Sequence, residues 1–248
     1  GDVTFITSVG TDVFGKEALK GFEHHGIDTS FVLQQPKLPS GVALIMVDEK
    51  GENCISVASG ANNALDKKAI DKAKASFDKA SYLLMQLEVP LETVNYAAEK
   101  AFDQHIQIVL NPAPAQILPD ELLAKLYMIT PIDTETKLLT GVDVTDEVSA
   151  LKAANILREK GVNTVIITLG KKGAFVVAND LQEVISPPQV KAVDTTAAGD
   201  TFNGALVVGL AEGMALKDAV IFANKAAAFS VTRLGAQSST PLKKELNF

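Results

Sequence analysis

The strongest signal in this sequence is a junction between a strand and a helix, Val193-Asp194-Thr195-Thr196-Ala197-Ala198-Gly199-Asp200-Thr201-Phe202-Asn203-Gly204. A strand-like run ends near Val193, and a series of small residues then leads into an apolar helix. Small residues let a ligand approach the backbone closely, and the N–H groups and dipole of a helix N-terminus can hold a phosphate. The junction therefore predicts an anion site.

Asp200 lies in the predicted first turn of that helix. A carboxylate beside bound phosphates can take a proton from an attacking hydroxyl group. A carboxylate in a first turn can also do no more than complement the helix dipole. The local pattern leaves both interpretations open.

Strands and helices alternate along the chain up to this junction, and two more helices follow it. The pattern predicts strands near residues 3–9, 82–87, 106–110, 128–129, 164–167, 174–178 and 183–185, and helices near residues 12–25, 70–80, 91–101, 121–126, 148–160, 199–212 and 215–233. Such alternation predicts an α/β fold with a mainly parallel sheet that helices cover on both faces. The last two strands are expected to form an antiparallel pair at the sheet edge. Residues 30–59 differ, because short strands at 31–33, 42–47 and 54–57, with a turn at 48–53, predict a β-rich hairpin insert.

Composition excludes several classes of protein. The chain has 248 residues and a net charge of −7, with no long basic run, so nucleic acid is not an expected partner. Cys54 is the single cysteine, which excludes an internal disulfide framework and a cysteine-based zinc site and fits a cytoplasmic location. No apolar stretch reaches about 18 residues, so no membrane span is expected. The first residues carry no basic region typical of a signal peptide, and the absence of an initial Met predicts a processed or truncated chain.

A second candidate site follows a predicted strand, in Thr168-Leu169-Gly170-Lys171-Lys172-Gly173. A turn bounded by glycines at the carboxyl end of a strand lies where α/β folds bind nucleotides. Taken alone, the segment is better explained as a plain turn into the edge strands.

The segment Gly10-Thr11-Asp12-Val13-Phe14-Gly15-Lys16 resembles a phosphate-binding P-loop, because it follows a strand and opens a helix. A P-loop needs Ser or Thr after its lysine to bind magnesium, whereas Glu17 would place an anion against the phosphates. A P-loop phosphotransferase is therefore not favoured. A dinucleotide dehydrogenase is not favoured either, since no Gly-x-Gly-x-x-Gly follows a strand.

Two polar residues, Glu88 and Asn111, end predicted strands. Polar residues at the carboxyl ends of parallel strands commonly face a ligand crevice, although both residues could instead cap the next helix. The three histidines, His24, His25 and His105, are given no function.

Together these segments resemble the ribokinase family, also called the phosphofructokinase B family of carbohydrate kinases. The resemblance is carried by Val193–Gly204 and, in the family's order, by Val9–Gly15, Gly51–Asn53, Ser59–Asn62, Met85–Glu88, Leu110–Ala115, Thr168–Gly170 and Gly235–Gln237. It implies one domain over residues 1–248, a Rossmann-like three-layer αβα sandwich, with residues 30–59 as a small β-sheet lid over the sugar. It also implies a homodimer formed through the lid.

The resemblance further implies transfer of phosphate from ATP to the 5-hydroxyl of D-ribose, or of another sugar. Asp200 would be the catalytic base, and the backbone of Ala197, Ala198 and Gly199 would form an anion hole. Glu88 would contact the sugar. The residues expected along the nucleotide are Thr168, Gly170, Gly173, Gly199 and Asn224.

Magnesium and potassium are the metal ions that the resemblance implies. Magnesium would accompany ATP, with Glu135 acting on it indirectly. The residues that match the family's potassium loop, several of them through backbone carbonyls, are Asp194, Thr196, Ser230, Arg233, Gly235 and Ser239.

The sequence departs from the family pattern in two places. The family's first strand, which carries an Asp for the sugar, and its Gly-Gly-Lys-Gly-Ala-Asn segment have no match, so an N-terminally truncated chain with part of the lid missing is expected. The family's Asn-x-x-Glu motif falls on Ile132-Asp133-Thr134-Glu135, where Ile132 replaces an Asn that helps to organise magnesium and phosphate. A non-catalytic nucleotide-binding remnant is therefore the alternative function.

Overall fold

The amino-terminal part of the chain begins with a strand, a helix and a second strand. The structure, a computed structural model, describes residues 1–47 and 53–246. The first three elements are β1 (Thr4–Gly10), α1 (Val13–His24) and β2 (Asp28–Gln35), and β2 pairs with β1 in parallel. Parallel strands cannot be joined by a tight turn, and α1 supplies the crossover that they need.

The predicted boundary of the hairpin insert is therefore wrong at its amino-terminal end. The strand predicted at residues 31–33 belongs to β2 and pairs with β1, because it follows a crossover helix. The hairpin is made by β3 (Val42–Val47) and β4 (Asn53–Ala58), which are antiparallel. The turn predicted between these two strands falls mostly on residues 48–52, which lie outside the described residues.

The amino-terminal unit, residues 1–106, continues after β4 with a short 3-10 helix (Gly60–Ala64), three α-helices and one strand. The α-helices and the strand are α2 (Lys67–Lys72), α3 (Lys74–Phe77), β5 (Tyr82–Met85) and α4 (Leu91–Asp103). The buried stripe of α4 consists of Val94, Ala97, Ala98 and Ala101, the spacing expected for one helix face. A cavity lined by β1 and β5 lies inside this unit.

The carboxyl-terminal unit, residues 107–248, contains most of the parallel sheet. Its elements in chain order are β6 (Gln107–Leu110), α5 (Asp120–Leu123), β7 (Met128–Ile129), α6 (Asp133–Thr140), α7 (Glu147–Glu159), β8 (Thr164–Thr168), β9 (Ala174–Ala178), β10 (Leu181–Ile185), α8 (Ala198–Ala211) and α9 (Leu216–Ser230). Strands β6, β7 and β8 are parallel neighbours, and β9 and β10 continue the sheet in antiparallel fashion to its edge. The predictions of a mainly parallel sheet and of an antiparallel edge pair are confirmed.

The core of this unit follows from the apolar runs of its strands. Side chains on both faces of β7 and β8 are fully buried, as a sheet covered by helices on both sides requires. Helices α8 and α9 pack against each other along their length. The assignment of residues 1–248 to one domain stays a prediction. Among the described residues, no helix combines the length and the apolar character that crossing a membrane requires.

Candidate active site

The first turn of α8 has the backbone geometry of an anion site. Ala197 precedes the helix in the left-handed conformation, with φ of 58°, which is rare for a residue that has a Cβ and is often found where function requires it. The first i to i−4 hydrogen bond runs from Thr201 N–H to Ala197 O at 2.9 Å, so the N–H groups of Gly199 and Asp200 precede the helical hydrogen-bond ladder. The N–H of Ala198 donates to Thr195 O at 3.3 Å, which is a long hydrogen bond.

Open space surrounds Gly199 in this turn. A Cβ built on Gly199 would meet no heavy atom within 4 Å, although its φ is not one that requires glycine. Protein packing therefore gives no reason for a glycine at this position. An incoming ligand that touches the backbone does give one.

Asp200 stands in the same turn and is open to solvent on one side. The surrounding protein removes part of the hydration of its carboxylate, which raises the pKa of Asp200 above the ordinary Asp value. A hydrogen bond from its own backbone N–H opposes this shift. A partly desolvated carboxylate is a stronger proton acceptor than an ordinary Asp, as the interpretation of Asp200 as a base requires.

The predicted nucleotide turn follows β8 and contains two glycines with different reasons for being there. Gly173 has φ of 98°, and a Cβ on it would lie 2.1 Å from Ile185 O, so packing against β10 explains it. Gly170 has φ of 55°, and a Cβ there would meet nothing within 4 Å. Thr168, just before the turn, pairs with Ile132 in an isolated parallel bridge. The structure thus brings the predicted 132–135 segment beside the predicted nucleotide turn.

Glu135 is buried in the first turn of α6, where its Oε2 accepts the N–H of Ile132 at 2.8 Å. Burial raises the pKa of Glu135, while the hydrogen bond from Ile132 opposes the shift and the charge of Asp133 adds to it. Ile132 occupies the N-cap position with extended backbone angles. Its apolar side chain cannot accept the hydrogen bond that an Asn, Asp or Ser would accept there.

Asn224 is buried on α9, and its Nδ2 donates to Ile185 O at 2.7 Å. The amide nitrogen therefore ties α9 to the end of β10. This leaves the side-chain carbonyl of Asn224 as the group that could meet an adenine.

Two loops meet beside α8, and Asp194 holds them together. Asp194 Oδ1 accepts the N–H of Thr196 at 2.9 Å, and Oδ2 accepts the N–H of Gly235 at 2.9 Å. Val231 O accepts the N–H of Val193 at 2.7 Å and that of Asp194 at 3.2 Å. Hydrogen bonds from Thr196 and Gly235 hold the pKa of Asp194 below the ordinary value. The structure thus joins the predicted potassium-loop segments 194–196 and 230–235.

The donor atoms at this junction suit a cation that prefers oxygen. Ser230 and Ser239 are buried, and their hydroxyls donate to Ala227 O at 2.9 Å and Ala236 O at 2.7 Å, which leaves oxygen lone pairs as acceptors. Both carboxylate oxygens of Asp194 already accept N–H groups, so its contribution to a cation would come through its main-chain carbonyl. Arg233 is turned to Glu245, at 2.7 Å, and to the ring of Phe229, so it too would contribute a carbonyl. Carbonyl and hydroxyl oxygens are the ligands that a hard cation takes, and the residues present fit potassium.

Sequence reasoning missed a buried pair that links α8 to the sheet. Thr130 follows β7, and its Oγ1 donates to Asn203 Oδ1 at 2.7 Å. Asn203 Nδ2 in turn donates to Gly199 O at 2.9 Å. Asn111, which the sequence did single out, donates from Nδ2 to Thr130 O at 3.2 Å. The signal that could have found Thr130 is its position directly after a strand, the same criterion that selected Asn111.

Glu88 lies in the amino-terminal unit, exposed in the bend after β5, and its N–H donates to Gln86 Oε1 at 3.0 Å. Its contact with a sugar stays a prediction.

The segment that resembles a P-loop also belongs to the amino-terminal unit. Asp12 accepts the N–H of Gly15 at 2.9 Å and caps α1, while Gly10 N–H donates to Ser40 Oγ at 2.9 Å. Asp12 also accepts the Ser40 N–H and hydroxyl, and these bonds hold the pKa of Asp12 below the ordinary value. A Cβ on Gly10 would lie 2.5 Å from Ser40 N, so close chain packing explains that glycine. The N–H groups of Gly10 and Gly15 serve protein acceptors rather than phosphate, which agrees with the rejection of a P-loop.

Comparison with known proteins adds an independent line of argument. Residues 1–243 match the model of the pfkB family carbohydrate kinases. The chain is 46% identical to a ribokinase from Haemophilus influenzae over 243 residues, 98% of this chain and 79% of that protein. It is 38% identical to a deoxyribokinase from Salmonella typhimurium over 252 residues, 99% of this chain and 80% of that protein.

A solved structure agrees with the fold. The structure of Arabidopsis thaliana ribokinase complexed with ribose and ATP has a TM-score of 0.90 to this chain at 29% identity, covering 99% of this chain and 80% of that one. The predicted α/β fold class, with a mainly parallel central sheet and a small antiparallel sheet, is confirmed.

Proposed function

The chain belongs to the pfkB family of carbohydrate kinases, and we propose that it transfers the γ-phosphate of ATP to the 5-hydroxyl of D-ribose, with Asp200 as the general base. As a member of this family it is a sugar kinase, a phosphotransferase with an alcohol group as acceptor. The choice of ribose and the role of Asp200 are the parts that we infer.

One observation carries the role of Asp200: its partly desolvated carboxylate stands in the same helical turn as the N–H groups of the anion site. In the proposed step the carboxylate accepts the proton of the sugar hydroxyl. The hydroxyl oxygen then forms a bond to the γ-phosphorus, and the bond from that phosphorus to the β-phosphate oxygen breaks, releasing ADP. The resemblance implied an anion hole at the backbone of Ala197, Ala198 and Gly199, and the N–H groups that precede the helical ladder are those of Gly199 and Asp200. We assign these two N–H groups to the charge that develops on the phosphoryl oxygens.

ATP binding is assigned to the carboxyl-terminal unit. The open space at Gly170 and Gly199 lets a ligand approach the backbone, and Thr168 stands two residues before the first of these positions. Gly173 supports this turn by permitting its packing against β10. Asn224 presents its side-chain carbonyl as an adenine contact. Glu135 would act on ATP-bound magnesium from a distance, since it is buried and caps Ile132.

Potassium is assigned to the junction of the two loops around Asp194, Thr196, Ser230, Arg233, Gly235 and Ser239. When bound there, the ion would supply positive charge, which would favour a bound anion. The chain's own part is to keep segment 194–196 in place, and the Asp194 carboxylate does this through its two N–H partners.

The sugar is tested by a substrate panel. The likeness to a deoxyribokinase makes 2-deoxyribose the competing acceptor. We expect kcat/KM, measured as ADP release in a coupled assay, to be higher for D-ribose than for 2-deoxyribose. Phosphorus NMR should identify the 5-phosphate as the product. A preference for 2-deoxyribose would overturn the choice of ribose as substrate but not the assignment of sugar kinase activity.

The alternative of a nucleotide-binding remnant makes a different set of predictions. A remnant would be stabilised against heat by ATP or ADP, would show no stabilisation by ribose, and would release no ADP. The proposed kinase is stabilised by both ligands and turns them over.

We also propose a homodimer formed through the hairpin of β3 and β4. Leu44 and Met46 share one face of β3, and both are more than 60% exposed in the single chain. Two large apolar side chains on one strand face are typical of a protein contact surface.

A further inference from the structure

We propose that Thr130 is a positioning residue for the phosphoryl transfer step, and that it acts through Asn203 to fix the peptide group between Gly199 and Asp200. This inference rests on the proposed function and assigns a role to two residues for which the sequence analysis predicts none. The relay consists of Thr130 Oγ1, Asn203 Oδ1, Asn203 Nδ2 and Gly199 O.

The relay is rigid at its sheet end. Thr130 is 1% exposed, its N–H donates to Leu110 O at 3.0 Å, and its carbonyl accepts the Asn111 amide at 3.2 Å. Its β-branched side chain also has few rotamers available. The hydroxyl therefore points in a direction that two neighbouring strands determine.

The Gly199 carbonyl, which can only accept, decides the orientation of the Asn203 amide, and Thr130 completes the pair. Asn203 is 3% exposed, so an amide rotated by 180° would bury its Oδ1 against the Gly199 carbonyl, two acceptors with no donor between them. With Nδ2 donating to Gly199 O, one turn earlier in α8, Oδ1 faces Thr130, whose hydroxyl donates to it and holds the amide in place. Burial of both residues away from water strengthens these hydrogen bonds.

Fixing the Gly199 carbonyl also fixes the N–H of Asp200, because the two groups lie in one planar peptide unit. That N–H is one of the donors of the anion site, and it also contacts the Asp200 carboxylate. The turn begins at Ala197, whose left-handed backbone persists only where surrounding contacts hold it. The relay is such a contact, and it reaches the turn from the sheet.

A plain structural tie between α8 and β7 is the competing interpretation. It predicts that a variant of Thr130 loses stability. It also predicts that the kcat of this variant is no lower than that of an equally destabilised control. Thr164 provides a matched control, since it is also 1% exposed and its hydroxyl donates to Asn163 Oδ1 at 3.0 Å, at the amino end of β8.

The test compares Thr130→Val, Thr130→Ser and Thr164→Val. Valine keeps the shape of threonine and removes the hydroxyl, so we expect both valine variants to melt at lower temperatures. In Thr130→Val alone, we expect kcat to fall about 10- to 100-fold at saturating ATP and sugar, with each KM within about threefold, because small misplacement of reacting groups has effects of this size. Thr130→Ser should recover most of kcat. Equal kcat in the two valine variants, or a change confined to KM, would overturn the proposal.

Two further measurements keep this test separate from the choice of sugar and from folding. In an Asn203→Leu background, Thr130→Val should lower kcat no further, because the two residues act in series. Hydrogen exchange of the peptide covering residues 197–203 should speed up in Thr130→Val and stay unchanged in Thr164→Val. Exchange needs no turnover, so unchanged exchange in Thr130→Val overturns the relay even if ribose is the wrong sugar. Failure of the wild type on ribose overturns only the proposed function.

Discussion

Removal of the Asp194 carboxylate should uncouple the two loops beside α8. In Asp194→Ala, the N–H groups of Thr196 and Gly235 lose acceptors that now lie at 2.9 Å. A hydrogen bond to a charged group contributes about 1.5–3 kcal/mol, and the half-exposed position of Asp194 places both bonds at the lower end, so the expected loss is about 3 kcal/mol. For a chain of this length, 1 kcal/mol shifts Tm by about 2–4 °C, which predicts a fall of about 6–12 °C.

Asp143→Ala is the matched control, because it removes a carboxylate from an exposed ion pair with Lys137. Such pairs contribute about 0.2–1 kcal/mol, so its Tm should fall by less than about 4 °C. Differential scanning calorimetry at pH 7 measures both variants. A fall in Asp194→Ala no larger than that in Asp143→Ala would refute the assignment of Asp194 as the link between the loops.

The sign of the pH dependence offers a second check on the same residue. The pKa of Asp194 is lowered in the folded protein. The carboxylate therefore makes its full contribution to folding stability above the ordinary Asp pKa of about 3.9, and this contribution is lost as pH falls through the folded pKa. The difference in Tm between wild type and Asp194→Ala should therefore be constant near neutrality and shrink below about pH 3.9. A difference that grows on acidification would contradict the hydrogen-bond assignment.

Three further predictions concern single side chains. Gly199→Ala should raise the free energy of unfolding by about 0.4–1 kcal/mol, because the new methyl group meets open space in a helix. The same change should lower kcat/KM for ATP in steady-state assays, and an unchanged kcat/KM would mean that no ligand approaches this backbone. Ile132→Asn should stabilise α6 by about 0.5–2 kcal/mol by supplying the missing N-cap acceptor, and urea unfolding that gives no gain would contradict that explanation. Leu44→Asp should turn a dimer into a monomer in light scattering, whereas a Leu44→Asp protein that stays dimeric would place the interface elsewhere.

Much of the carboxyl-terminal unit could be predicted from its sequence, because apolar strand runs and helical stripes alternate there without interruption. The edge pair of β9 and β10 and the helix that begins at Ala198 were placed within a residue or two. The strand at 31–33 was misassigned because its short apolar run looks the same whether it pairs with β1 or with a hairpin neighbour. Pairing depends on contacts distant in sequence, which a local pattern does not contain.

The residues of the candidate site also differ in how far a local sequence pattern could indicate them. Asp200 and Gly199 could be proposed from sequence because they stand in a compact run of small residues. Thr130 was missed because its partner, Asn203, is 73 positions away in the chain and only the fold brings the two together. Glycines were also ambiguous in sequence, since Gly170 faces open space whereas Gly173 is required by packing against Ile185.

The central claim, that Asp200 is the base of a ribose kinase, is tested most directly by the kcat of Asp200→Asn at saturating ATP and D-ribose. Asparagine keeps the size of the side chain and cannot accept the proton, so kcat should fall about 10²- to 10⁴-fold while ATP binding in a thermal-shift titration is retained. The wild-type kcat/KM should rise with pH as Asp200, with its raised pKa, loses its proton, and the variant should lack this rise. An Asp200→Asn protein with normal turnover would contradict the account.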